Sequence, residues 1–124
     1  MIRSTSLTRS VLQVPLSKNA NFNSSILDTA PYIGSIEVRV ACGLLTAGDN
    51  DGATQVTLYS SHESNGANAV TTGVSTTNFA NTAAAYSAVV DSRAIRRYLK
   101  AVVTFTGTNT PARPVFIESI GQTA

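Results

Sequence analysis

The chain has 124 residues, a size for one domain with a modest core. Charged side chains make up only 13% and apolar residues 43%, which excludes a charge-rich disordered chain. A net charge of +2 falls short of a dense basic footprint, and a single cysteine rules out an intramolecular disulfide.

In chain order, "MIRSTSLTRS" is basic, but the apolar run after it, "VLQVPL", is short and broken by Gln13 and Pro15. No signal peptide is expected, and residues 1–10 read as an extended N-terminal arm carrying Arg3 and Arg9 as candidate protein contacts. "VLQVPLS" sets Leu12, Val14 and Leu16 on one face of a strand, and Pro15 marks an edge because it cannot donate to a ladder. "SSILDTA" is a short candidate strand closed by Pro31. In "GSIEVRVACG", Ile36, Val38, Val40 and Cys42 alternate with Ser35, Glu37, Arg39 and Ala41, as in a half-buried strand. "ATQVTLYSS" repeats the pattern with Val56, Leu58 and Ser60. The intervening "TAGDNDG" is rich in turn formers, so residues 34–61 are expected to form a β-hairpin.

Residues 62–82 read as a long polar loop with room for a short strand around Ala69–Val74. Loops of this length are commonly functional, which makes Asn65, Asn68 and Phe79 candidates for contact with another molecule. "AAYSAVVDS" offers a strand with Tyr86, Ala88 and Val90 on one face. Asp91–Arg97 is the best place for a single helical turn, with Asp91 or Ser92 as its N-cap. "YLKAVVTFT" turns Leu99, Ala101, Val103 and Phe105 inward, and "PVFIESIG" closes the chain after the turn-rich "GTNTPARP". The pattern predicts an all-β, single-domain antiparallel β-sandwich or small barrel of about six to eight strands.

Few residues suggest catalysis or metal binding. His62 beside Glu63 lacks a nucleophile motif, so no catalytic residue is assigned and no enzyme is expected. One Cys and one His cannot build a structural zinc site, and "GDNDG" lacks the later ligands of a calcium loop, so no metal or cofactor is expected. Cys42 reads as a small buried hydrophobe. Four of the nine basic residues, Arg93, Arg96, Arg97 and Lys100, fall in "RAIRRYLK". A β-class nucleic-acid reader would pair them with several stacking aromatics, and only Tyr98 is at hand. Asp91, Glu118 and Glu63 are available as partners. Arg93, Arg96 and Arg97 therefore read as protein-contact residues at a strand entry, with neither nucleic acid nor membrane as partner.

"TQVTLYSSHESNGANAV" followed by "YSAVVDSRAIRRYLKAVVTFTGTNTPARPV" resembles a family of small tailed-phage proteins encoded among head and packaging genes. Its pattern is a strand ending in a His-Ser-Asp-Asp-Gly type of turn, then a Lys-Arg-Tyr-Leu-Lys strand, then a final strand. "VLQVPLS" is similar to its opening strand, and the resemblance runs roughly from Arg9 to Gly121. Here the turn reads His62-Glu63-Ser64-Asn65-Gly66, and Arg96 precedes Arg97-Tyr98-Leu99-Lys100. The resemblance implies a virion structural protein made in the host cytoplasm: a capsid decoration or cement protein that binds the major capsid protein or other virion subunits. It also implies a homo-oligomer, dimer or trimer. A head–tail connector, tail or fibre component is the alternative, and a nucleic-acid-binding β-barrel a more distant one.

Overall fold

A computed structural model describes residues 6–18, 20–44, 53–76, 78–79, 83–106 and 112–123. Among them are nine strands and no helix: β1 (Ser6–Lys18), β2 (Phe22–Asn23), β3 (Leu27–Asp28), β4 (Tyr32–Cys42), β5 (Ala53–Ser61), β6 (Val70–Ser75), β7 (Ala84–Asp91), β8 (Tyr98–Thr106) and β9 (Arg113–Thr123). They form two antiparallel sheets, one ordered β1-β9-β4-β7 and the other β2-β8-β5-β6, with β3 also paired to β8. If β2 and β3 count as one broken strand, this is the strand order of an eight-stranded jelly roll.

The expected sandwich is present, and alternation explains its core. β4 buries Ile36, Val38, Val40 and Cys42, and β8 buries Leu99, Ala101 and Val103, while the residues between them are exposed or half-buried. Val56 and Leu58 of β5, Val90 of β7, and Val115 and Ile117 of β9 complete the apolar layer. Gly121 on β9 is needed for packing. A Cβ there would sit 2.5 Å from the ring of Tyr32, which covers it.

Four expectations need correction. The 34–61 hairpin does not form: β4 lies in the first sheet and β5 in the second. Two half-buried strands look alike whether they lie side by side or face each other across a core, and here their apolar rows face each other. Arg113 clamps that crossing. Its guanidinium is fully buried and donates to the Gly43 carbonyl (2.7 and 3.0 Å) on one side, and to Thr54 Oγ1 (3.2 Å) and the Phe79 carbonyl (3.0 Å) on the other.

Ser6–Ser10 of the expected arm are strand, paired with Ser119–Thr123 through main-chain bonds that need no apolar side chain. The short strand allowed for around Ala69–Val74 is present as β6, Val70–Ser75, hydrogen-bonded to β5. The expected helical turn is only a hydrogen-bonded turn, in which Asp91 accepts from the amides of Ala94 and Arg93. Leu12 is buried but Val14 is exposed, because two register shifts in the β1–β9 ladder break the alternation. Pro15 does lie on an edge strand. Arg3, the Asp49–Asn50–Asp51 turn, the Leu16 side chain and most of "GTNTPARP" lie outside the described residues.

Candidate functional site

The 92–97 turn between β7 and β8 brings the candidate arginines to one end of the sandwich. Asp91 Oδ1 accepts from the Arg93 amide (3.0 Å) and the Arg93 Nε (3.4 Å), and the amide bond contributes most to lowering the Asp91 carboxyl below its ordinary range. The Arg96 amide donates to Ser60 Oγ on β5 (3.1 Å), which ties the turn to the second sheet. Arg96 then extends Nη1 to the Asn68 carbonyl (3.2 Å).

That carbonyl belongs to a self-bonded turn. Asn68 takes a left-handed φ of 54° and donates from Nδ2 to Glu63 Oε2 (3.1 Å). Gly66, at φ 76°, closes back on the Glu63 carbonyl, Asn65 Oδ1 accepts from the Ala67 amide (3.0 Å), and Ser61 Oγ donates to the Ala67 carbonyl. Asn65 and Asn68 thus shape the turn that receives Arg96. Between this turn, β6 and the 92–97 turn lies an open groove of about 370 Å³, lined by His62, Thr71, Thr72, Arg93 and Arg96 among others. The Thr72 hydroxyl is committed to the Leu58 carbonyl (2.9 Å), and the N–H donors that Arg93 and Arg96 do not spend on Asp91 and Asn68 suit the surface to a carboxylate-bearing segment.

Arg97 points elsewhere. It forms a two-pronged ion pair with Asp28 (both contacts 2.9 Å), and its guanidinium lies 5.1 Å from the Tyr98 ring centroid. The Arg97 hydrogen bonds, with the Ala30 amide, hold the Asp28 carboxyl down at about 2. Tyr98, the aromatic that might have stacked on a base, therefore lies under an intramolecular cation.

Arg9 sits apart, on the outer face of the first sheet. It pairs with Glu118, whose side chain is only 7% exposed and which also faces Arg39 at 3.8 Å. Arg39 pairs with Glu37 (2.9 Å), which also accepts from Ser87 Oγ (2.7 Å); these contacts, Arg39 first, lower the Glu37 carboxyl. A shallow depression of about 300 Å³ lies beside this cluster, with Phe116, Ala41 and Ala85 among its lining.

Phe79 corrects the expectation of a surface contact. It is 5% exposed, belongs to the core cluster, and exchanges main-chain hydrogen bonds with Thr54 (2.8 and 3.0 Å). A large apolar residue in a polar run was the available signal. Glu63 bonds Asn68, and the partner of Arg97 is Asp28, a residue 69 positions away that no local pattern marks. Arg39 and Glu37 were legible as neighbours on one strand face. Cys42 is buried, and burial raises its thiol pKa. Among the described residues, no three His, Cys, Asp or Glu side chains gather as a metal site.

A scan against protein-family models and a search of curated proteins find no match. Solved structures similar to this chain include a prophage protein and a viral particle protein. The SPBc2 prophage-derived protein YomS is 12% identical with a TM-score of 0.55, covering 99% of this chain and 98% of that one. The VP2 subviral particle of infectious bursal disease virus is 10% identical with a TM-score of 0.45, covering 96% of this chain and 32% of that one. At 12% identity the likeness to YomS is one of fold alone, and it spans almost the whole of each chain.

Proposed function

We propose that this protein is a structural component of a phage particle: a decoration or cement protein that binds capsid subunits and takes part in no catalytic step. The observation that carries this reading is the fold match with a prophage-derived protein, which covers 99% of this chain and 98% of that one. The jelly roll is a common architecture of viral capsid domains, although a fold alone does not assign a function. The chemistry of the groove supports the same reading. Arg93 and Arg96 stand on a turn whose main chain is anchored to both sheets; Arg93 is paired in part with Asp91, and the two guanidinium groups offer their remaining N–H donors to acidic side chains of a neighbouring subunit. Contacts of this kind are individually weak, and a shell multiplies them over many symmetric positions.

The test is binding of the purified protein to heads that lack it. We expect saturable binding at many copies per head and a higher melting temperature of the loaded heads. The double variant Arg93→Glu/Arg96→Glu should remove binding and leave the fold intact. A few copies per particle, confined to one vertex, would favour a connector or tail part instead. Salt-sensitive oligonucleotide binding at about 50 mM salt would favour the nucleic-acid reading.

A further inference from the structure

A jelly roll has four sheet edges, and three of these are blunted by recognisable devices. β1 carries Pro15 and two register shifts. β6 carries Gly73 at φ 83° and a register shift against β5. The far edge of the second sheet is broken into β2 and β3, of two residues each. The fourth edge, β7, has none of these. It runs Ala84–Asp91 in unbroken register with β4, from Ser35↔Asp91 to Cys42↔Ala84, and holds no proline, glycine or charge before Asp91.

The direction of its main-chain groups follows from one bond. The Ser92 amide donates to the Gly34 carbonyl (2.9 Å), one step beyond the Ser35↔Asp91 pair. Antiparallel ladders alternate, so Val90, Ala88 and Tyr86 bond inward to β4. The N–H and C=O groups of Ala85, Ser87 and Val89 therefore point out of the sheet, and Val89 also exposes 60% of its surface.

We propose that β7 pairs antiparallel with β7 of a second copy about a two-fold axis at Ser87, joining two four-stranded sheets into one of eight strands. In this register Ser87 meets the partner's Ser87 and Ala85 meets the partner's Val89. All three outward donors and acceptors of each strand are matched, and like faces stay together. The charges are compatible with this occupant: Glu37, which accepts from Ser87 Oγ beside the axis (2.7 Å), is already paired with Arg39 of its own copy. The two Asp91 carboxylates lie at opposite ends of the ladder, each already held by its own Arg93, and no other charge on β7 opposes a copy. A contact of one strand per copy is at the small end of specific interfaces, below about 1,200 Å², so the dimer is concentration-dependent. This pairing does not depend on the virion role.

The test combines sedimentation equilibrium from about 1 µM to about 1 mM with amide hydrogen exchange over the same range. The expected result is a monomer–dimer equilibrium in which the Ala85, Ser87 and Val89 amides gain protection as concentration rises, while Tyr86, Ala88 and Val90 are protected throughout. Val89→Pro removes only an outward N–H, and Val89→Lys adds an edge charge; each should weaken dimerisation at least about tenfold and leave the far-ultraviolet circular dichroism unchanged. If either variant fails to fold, the wild-type exchange pattern decides. A monomer at every concentration, a dimer with unprotected Ala85, Ser87 and Val89 amides, or protection that appears only when particles are added would each overturn pairing with a second copy.

Discussion

Arg113 gives the sharpest test of how the two sheets are held. Substituting Arg113→Met keeps most of the side-chain volume and removes the guanidinium. Replacing a buried ionic group by an apolar one can be neutral or stabilising when its partners leave with it. Here the acceptors at Gly43 and Phe79 are main-chain carbonyls, which no side-chain change removes. Phe79 keeps the Thr54 amide as a donor (3.0 Å), so the main loss falls on the Gly43 carbonyl and on the bonds made by a charged group. An orphaned buried acceptor costs about 1–3 kcal/mol and a charge-assisted bond contributes about 1.5–3 kcal/mol, so the variant should lose about 3 kcal/mol or more. For a domain of this size that is roughly 10 °C or more in Tm. Urea unfolding of both proteins measures it. A loss below about 1 kcal/mol with an unchanged m-value would refute the clamp.

Gly121→Ala places a methyl 2.5 Å from the Tyr32 ring, and the ring must move out of a well-packed site, so a loss of about 1–3 kcal/mol is expected in the same unfolding assay. Asp28 has a depressed folded pKa of about 2 against an ordinary 3.8, so its contribution is full above the unfolded value and fades as pH falls through 4 towards 2. The stability gap between wild type and Asp28→Asn should be at most about 1 kcal/mol, constant above pH 5 and closed near pH 2, since the pair is solvent-exposed; a gap unchanged down to pH 2 would contradict the assignment. Arg96 and Arg97 should separate by readout. Arg96→Ala weakens head binding with little change in stability, whereas Arg97→Ala changes the acid limb of stability and leaves head binding within about twofold. Equal losses of binding from both would refute the division.

The strands were legible because Ile36–Cys42 and Leu99–Val103 alternate cleanly, and alternation reports which face is buried. It does not report which sheet a strand joins, which is why β4 and β5 read as a hairpin. The jelly-roll order depends on contacts far apart in sequence, such as β1 with β9, and on an arginine buried between the sheets. Ser6–Ser10 read as an arm because the segment has no alternating apolar signal, yet main-chain pairing with β9, helped by Thr8–Thr123 and Arg9–Glu118 side-chain contacts, recruits it. The basic cluster was rightly placed at the entry to a core strand. Its division was not visible, because Arg96 and Arg97 are adjacent in sequence and their partners lie far off, Asn68 in the turn before β6 and Asp28 on β3.

The central claim concerns the particle, and a cryo-electron microscopy reconstruction of the phage head tests it most directly. The expected density is this jelly roll repeated at symmetric positions on the shell, with the Arg93–Arg96 groove against acidic side chains of a capsid subunit. Density for the chain at only one vertex or in the tail, or on the shell with that groove facing solvent, would contradict it.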